Sequence, residues 1–140
     1  MPAWQSVGAQ RYYVDGDLFV MELSGLVTLD EITALLLQQE SLFSQYERVL
    51  TLCIARDVQL PTADVRRFLA ERGKRVDVTR LYVVVVTNNT LLRTIIRLIE
   101  RATALITSSP LHNTFVSSEA EAWQWVENQR REHPPKRPPT

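Results

Sequence analysis

The chain contains few of the residues on which catalytic and metal sites depend. A single cysteine, Cys53, excludes an intramolecular disulfide and a cysteine-based metal cluster. Four glycines, at positions 8, 16, 25 and 73, cannot form a phosphate-binding loop or a dinucleotide fingerprint. Of the two histidines, His133 lies in a proline-rich tail, so His112 is the main candidate for a general base. These shortages argue against the common hydrolase and nucleotide-binding arrangements.

The two side chains that could still carry chemistry, His112 and Cys53, are better explained as structural. His112 follows Ser108 and Ser109, so a serine–histidine pair is conceivable, but no Gly-x-Ser-x-Gly turn exposes either serine. Cys53 lies inside an apolar run, where burial disfavours the reactive thiolate, and no good second metal ligand is near it. We therefore expect a protein that is not an enzyme, with no metal site and no cofactor.

Long apolar runs and targeting signals are also lacking. No stretch of about 18 apolar residues is present, which argues against a membrane-spanning helix. The first ten residues lack the basic segment and apolar stretch of a signal peptide. With 140 residues, of which 45% are hydrophobic and 23% charged, the chain has the balance of one globular domain. We expect a cytoplasmic protein that neither spans a membrane nor binds nucleic acid.

The net charge is zero, but the charges are unevenly distributed along the chain. Residues 1–55 carry two basic and seven acidic side chains, whereas residues 56–101 carry ten basic and five acidic ones. Such an asymmetry can create a dipolar surface that steers a partner. Solvated helix faces of opposite sign are the commoner explanation.

The hydrophobic pattern predicts nine strands and helices. Asp15-Gly16-Asp17 joins two β-prone runs and predicts a hairpin. Thr28 and Glu31 have the spacing of a capping box at the start of a helix. The apolar runs at 49–55 and 81–87 are typical of strands buried on both faces, as in parallel sheets. Further helices are predicted to start near residues 62, 90 and 118, with a short strand at 113–116.

The predicted order, β-β-α-β-α-β-α-β-α, makes this an α/β protein. Short apolar strands separated by amphipathic helices require crossover connections, which place the helices on the sheet. We expect a mixed sheet with a parallel centre, an antiparallel N-terminal hairpin and about four helices. We further expect a flexible N-terminus at residues 1–10, a single domain at 11–131 and a disordered proline-rich tail at 132–140.

Two regions are candidates for binding. The third helix carries Arg93, Arg97 and Arg101, whose spacing of four places them on one face. Such a stripe could bind an acidic partner, a phosphorylated ligand or an anionic membrane surface, although it also fits the solvated face of an amphipathic helix. The second region is the loop at 56–64, because in open α/β sheets ligands and partners meet the carboxyl ends of the strands.

The order of segments and several short sequences resemble the STAS domain family (sulphate transporter and anti-sigma factor antagonist), or its lipid-binding-protein-like offshoot. The resemblance covers about residues 11–130. It rests on the hairpin and the helix led by Thr28, on residues 50–54 followed by Pro61-Thr62-Ala63-Asp64, and on residues 83–86. The ending at 115–123 is most like the family: an aromatic strand followed by Ser, Glu, Ala and a large apolar residue.

In bacterial members of that family, a serine or threonine at the start of the second helix is phosphorylated by a partner kinase, and this blocks docking. The resemblance assigns that position to Thr62. Here Pro61 stands where the family usually has aspartate, and Asp64 where it has glycine. A phosphate on Thr62 would lie at a helix N-terminus with Arg66 in reach, although a simple N-cap is the commoner role of a threonine at such a position.

From this resemblance we expect a STAS-like adaptor or regulator in bacterial signalling that docks to a protein partner. The alternative is a carrier module that binds a lipid or small molecule against the apolar face of the third helix. Homo-oligomerisation through the hairpin edge or the third helix stays open. The residues expected to bind the partner are Arg56, Asp57, Thr62, Asp64, Arg66 and Arg67, with Arg93, Arg97 and Arg101 as a second set.

Overall fold

The computed structural model of the protein describes residues 2–107 and 112–137. Within these ranges it contains one six-stranded sheet and four α-helices, which confirms the expected α/β class. The strands are β1 (Gln5–Val7), β2 (Gln10–Asp15), β3 (Leu18–Gly25), β4 (Val49–Val58), β5 (Leu81–Val86) and β6 (His112–Val116). The helices are α1 (Leu29–Glu40), α2 (Ala63–Glu71), α3 (Thr90–Thr107) and α4 (Glu119–Glu132).

The strands lie in the sheet in the same order as in the chain. Strands β1, β2 and β3 are antiparallel, whereas β3, β4, β5 and β6 are parallel, as expected for a hairpin joined to a parallel centre. Each parallel connection contains one helix and moves to the next strand in the same direction. Because such crossovers are almost always right-handed, α1, α2 and α3 lie on one face of the sheet. Helix α4 covers the other face.

Two apolar cores lie on the two faces of the sheet. On one face, Leu35 of α1, Val65 of α2 and Leu92 of α3 pack against the strands. On the other face, Ala122 and Val126 of α4 do so. Side chains of β4 contribute to both cores, and every residue from 49 to 55 is buried. The prediction of a strand buried on both faces is therefore confirmed.

The first ten residues differ from the flexible segment that we expected. Residues Gln5–Val7 form β1 and pair antiparallel with β2. The chain reverses at Gly8, whose φ of 59° is readily adopted by glycine. The turn is held by a long-range contact, because the N–H of Ala9 donates to the Glu31 carboxylate at 2.8 Å. The side chain of Gln10 also bonds the backbone of Ser24.

The starts of α1 and α4 both carry the Ser/Thr-x-x-Glu pattern of a capping box, but only the box of α1 is complete. At α1 the capping box is complete, since Thr28 accepts from the N–H of Glu31 at 3.1 Å and the Glu31 carboxylate accepts from the N–H of Thr28 at 2.9 Å. The hydrogen bond from the N–H of Thr28, and then that from the N–H of Ala9, lower the pKa of the Glu31 carboxyl group. At α4, Ser118 accepts from Glu121, but the Glu121 carboxylate bonds the N–H of the residue before Ser118. That box is half formed.

A buried polar network joins α1, β4 and the 3₁₀ turn after α2. The amide of Gln39 donates to the Thr51 hydroxyl at 2.7 Å and accepts from Arg72. Arg72 also donates to Glu40 at 3.0 Å, and Arg75 binds the same carboxylate from the surface. Burial lowers the pKa of Arg72, but its hydrogen bonds to Glu40 and Gln39 stabilise the charge. This network anchors the C-terminal end of α2.

The C-terminal tail contacts the sheet over the part that the structure describes. Glu132 is the last residue of α4, and residues 133–137 have no regular secondary structure. The carbonyl of Lys136 accepts from the N–H of Glu47 at 2.8 Å, and the carbonyl of His133 accepts from Arg48. Residues 138–140 of the expected disordered tail lie outside the described residues.

Replacing Arg72 by alanine should strongly destabilise the protein. The substitution leaves Gln39 and Glu40 without their buried cation, and breaking a buried pair in this way costs about 3–5 kcal/mol. The matched control is Arg75→Ala, because Arg75 binds the same carboxylate with 48% of its side chain exposed. An exposed pair contributes less than about 1 kcal/mol. Urea unfolding of the two variants measures the difference, and equal stabilities would show that the network has no stabilising role.

Candidate functional site

The carboxyl ends of β3, β4 and β5 form a surface that combines exposed leucines with charged residues. Leu26 follows β3, Leu60 follows β4 and Leu91 begins α3 after β5, with exposed fractions of 48%, 36% and 55%. The N–H of Gln59 donates to the carbonyl of Gly25 at 2.8 Å, which holds the first two loops side by side. The strand β4 runs to Val58, so Arg56 and Asp57 lie in its end and not in the loop that we expected there. We call this region, with the end of β4 from Arg56 onward, the loop at 59–62 and the first two turns of α2, the carboxyl-edge surface.

Thr62 is the N-cap residue of α2, as the sequence predicted, but its side chain does not cap the helix. Its hydroxyl donates to the Asp64 carboxylate. Asp64 in turn accepts from the N–H of Val65 at 2.8 Å. The hydrogen bond from Thr62, and then that from Val65, lower the pKa of Asp64, so this helix start carries a stable negative charge. Thr62 and Asp64 are both exposed.

The other residues expected at this surface differ in how they are held. Arg56 makes a 2.8 Å ion pair with Glu119 at the start of α4, and this contact raises the pKa of Arg56. Arg66 donates to the carbonyl of Pro61 at 2.6 Å. Asp57 and Arg67 are exposed and make no ion pair with the described residues. The structure thus brings all six predicted residues to one end of the sheet.

The three arginines of α3 lie elsewhere, next to β6. Arg93 donates to the carbonyl of Thr87 at 2.8 Å, and its guanidinium lies 5.7 Å from the ring centre of Phe115. Arg97 lies 4.6 Å from the same ring and makes an ion pair with Glu100. Arg101 is exposed, without an ion pair among the described residues. Two of the three arginines therefore pack on an aromatic ring within the fold.

A small apolar cavity lies between the sheet and the three helices on the same face. Its volume is about 90 Å³, and its walls come from α1, α2, α3 and the strands β3, β4 and β5. Cys53 lies in this wall, and burial raises the pKa of its thiol to about 12. Because the thiol stays protonated at neutral pH, it behaves as a small apolar side chain. The cavity adjoins the apolar face of α3 through Leu92, Ile96 and Ile99.

We next considered metal ligation and membrane insertion over the part of the chain that the structure describes. In the described part of the chain, no three His, Cys, Asp or Glu side chains come close enough to hold a metal ion. None of the helices in residues 2–107 and 112–137 has the length and apolarity required to cross a bilayer. Ser108 and Ser109 lie outside the described residues, so the structure does not test their pairing with His112.

The exposed leucines at the carboxyl edge were not among the residues that we expected from the sequence. Each leucine lies at the start of a loop or a helix, where a single apolar residue in the sequence does not indicate an exposed side chain. The available signal was their position, because Leu26, Leu60 and Leu91 follow the ends of β3, β4 and β5 by one, two and five residues. Apolar side chains at three successive strand ends are brought together only by a parallel sheet.

Comparison with known proteins identifies the fold. No model of a known protein family matches the chain, and no curated protein matches it. Among solved structures, the chain is similar to an uncharacterised protein of the DUF3478 family, with a SpoIIAA-like fold, from Shewanella loihica PV-4. The TM-score is 0.57 at 11% sequence identity, over 90% of this chain and 92% of the other. The chain therefore has a SpoIIAA-like, that is STAS-like, fold.

Proposed function

We propose that the protein is a non-catalytic adaptor that docks to a protein partner through the carboxyl-edge surface. The observation that carries this proposal is the exposure of Leu26, Leu60 and Leu91 at the ends of three adjacent strands, at the same end of the sheet as the charged residues of β4 and α2. Contiguous exposed apolar side chains rimmed by polar ones are typical of protein-binding sites. A bacterial signalling or regulatory role is the part of the proposal that rests on the resemblance to the STAS family.

The charges of the surface indicate what kind of partner it binds. Arg66 and Arg67 are exposed on the first two turns of α2, and neither makes an ion pair with the described residues. The acidic residues near them, Asp57 and Asp64, are one on each side of the loop, and Asp64 is held at the helix N-terminus. A partner that presents an apolar side chain next to an acidic one fits this arrangement.

Thr62 lies where added charge would alter such docking. Its exposed hydroxyl is bonded to the Asp64 carboxylate, which lies at the same helix N-terminus. A phosphate here would gain from the helix dipole and from Arg66, but it would also repel Asp64. Either outcome changes the surface that the partner meets. We therefore include Thr62 among the docking residues and propose that its modification weakens binding.

A second candidate function, carriage of a small apolar ligand, is favoured by the cavity beneath α2 and α3. Its walls are almost wholly apolar, as a carrier requires. Its volume of about 90 Å³ is the argument against it as the primary function. Ligand pockets usually enclose about 300–1,000 Å³, so this cavity would have to enlarge before it held a lipid chain.

The docking proposal is tested by substituting Leu60 by aspartate. The tagged chain is used to capture its partner from extracts of the source cell, and the partner is then purified for titration. Leu60→Asp should weaken the measured affinity on the order of tenfold or more, because it places a charge in the apolar centre of the interface. Arg66→Glu and Thr62→Asp should weaken it as well.

The matched control is Leu37→Asp. Leu37 is an exposed leucine of α1, at 56%, outside the carboxyl-edge surface, so the same substitution there should leave the affinity unchanged. Circular dichroism confirms that each variant is folded. If Leu60→Asp and Leu37→Asp bind the partner equally well, the surface is not the docking site.

The carrier function is tested by filling the cavity from α3. Ile96 lines the cavity, whereas its neighbour Ile95 does not, and both are half-buried. A carrier should yield an apolar ligand by mass spectrometry of solvent extracts, and Ile96→Phe should reduce its amount while Ile95→Phe does not. Extracts without any such ligand from the wild-type chain would exclude carriage and leave the docking proposal intact.

A further inference from the structure

A second, polar cavity lies at the opposite end of the sheet from the carboxyl-edge surface. It occupies about 340 Å³ at the amino ends of β4 and β5, within the usual range of about 300–1,000 Å³ for ligand pockets. Arg48 precedes β4 and Arg80 precedes β5, and both residues line the cavity. The end of α4 and the proline-rich tail form the remaining wall.

Arg80 brings a positive charge to this cavity without a neutralising carboxylate. Its Nε and Nη2 donate to three backbone carbonyls, those of Glu47, Phe43 and Tyr46, at 2.6–2.8 Å. Carbonyl acceptors satisfy these N–H groups but leave the charge in place. Among the described residues Arg80 makes no ion pair, and its Nη1 makes no hydrogen bond. That nitrogen can donate to a ligand.

Arg48 is only partly neutralised. Its Nη2 lies 3.6 Å from the Asp17 carboxylate, which is fully buried. Asp17 also makes a 2.8 Å ion pair with Arg130, so one negative charge serves two arginines. The Nε of Arg48 is buried without a hydrogen-bond partner among the described residues. An excess positive charge therefore remains on this side of the cavity.

The acidic residues of the cavity lie at its rim. Glu47 and Glu132 line it, but both are exposed, whereas 13% of the Arg48 side chain is accessible. Exposed charges are screened by water and salt much more than partly buried ones. The potential inside the cavity is therefore set by the arginines. Lys136 adds a third cation from the tail, without an ion pair among the described residues.

The tail segment, through His133, Pro134 and Lys136, forms part of the cavity wall. Its backbone is bonded to the amino end of β4 through Glu47 and Arg48, and this places His133 and Lys136 in the wall. These bonds hold the backbone of the tail, and with it the start of the Lys136 side chain, beside the cavity. The proline-rich composition restricts the segment further, because each proline fixes its own φ.

We propose that this cavity binds a small molecule that bears a phosphate group. Arg48, Arg80 and Lys136 line the space; among the described residues Arg80 and Lys136 make no ion pair, and Arg48 shares the Asp17 carboxylate with Arg130. A phosphate monoester carries a charge of about −1.5 to −2 at pH 7, which matches this excess, whereas a single carboxylate carries less. Arginine is also the residue whose planar donor fork best fits phosphate oxygens. This site is independent of the docking surface.

The test uses inorganic pyrophosphate as the probe and amide shifts in ¹H–¹⁵N spectra of the full chain as the readout. Saturable shifts are expected at residues 47–48, 79–82 and 133–136, and none at the carboxyl-edge surface. Lys136→Gln should weaken the apparent affinity on the order of fivefold, as for an exposed charge. Glu132→Gln should strengthen it, because the substitution removes a negative charge from the rim.

The control is Lys74→Gln, which removes an exposed lysine outside the cavity and should leave the affinity unchanged. Lys136 and Lys74 are both exposed, so these substitutions are not expected to unfold the chain. The proposal is wrong if pyrophosphate causes no saturable shifts, or if the two lysine variants bind it equally. Citrate binding as tight as that of pyrophosphate would also overturn it, because the site would then select charge and not phosphate.

Discussion

The burial of β4 on both faces is the constraint on which the rest of the structure depends. Residues 49–55 are apolar apart from one threonine, and all are buried. Such a strand requires covering layers on two sides, so α1, α2 and α3 pack on one face and α4 on the other. Parallel neighbours then place the ends of β3, β4 and β5 at one edge, where the exposed leucines and the α2 start meet. The amino ends meet at the other edge, where the arginine cavity lies.

Much of this architecture could be predicted from the sequence, because its signals are local. The apolar runs of β4 and β5, the Asp-Gly hairpin and the capping box of Thr28 and Glu31 each depend on residues close together in the chain. What was missed depends on distant residues. Glu31 bonds Ala9 in the turn after β1, across 22 positions. Glu47 and Arg48 bond the tail at Lys136 and His133, across as many as 89 positions. The amino-acid sequence of β1 and that of the tail contain no pattern that indicates these distant partners.

The same distinction applies to the sites. The six residues expected at the carboxyl edge lie in one strand end and the helix start that follows it, so their proximity follows from chain order. The ion pair of Arg56 with Glu119 and the packing of Arg93 and Arg97 on Phe115 join separate segments. The spacing of the three arginines predicts a charged helix face. It does not predict that the ring of Phe115, on β6, packs against two of them and so reduces their access to a partner. The arginine cavity was not predicted, since its three cations come from three segments.

Hydrogen–deuterium exchange of the chain, alone and bound to its purified partner, tests most directly whether docking occurs at the carboxyl edge. Binding there should slow exchange in the backbone of residues 56–67, in the loop that contains Leu26 and in the first turn of α3, which contains Leu91. The amino-edge segments at 44–48 and 76–80 should exchange at the same rate in both states. Slower exchange confined to the amino edge or to α4, with the carboxyl edge unchanged, would contradict the account.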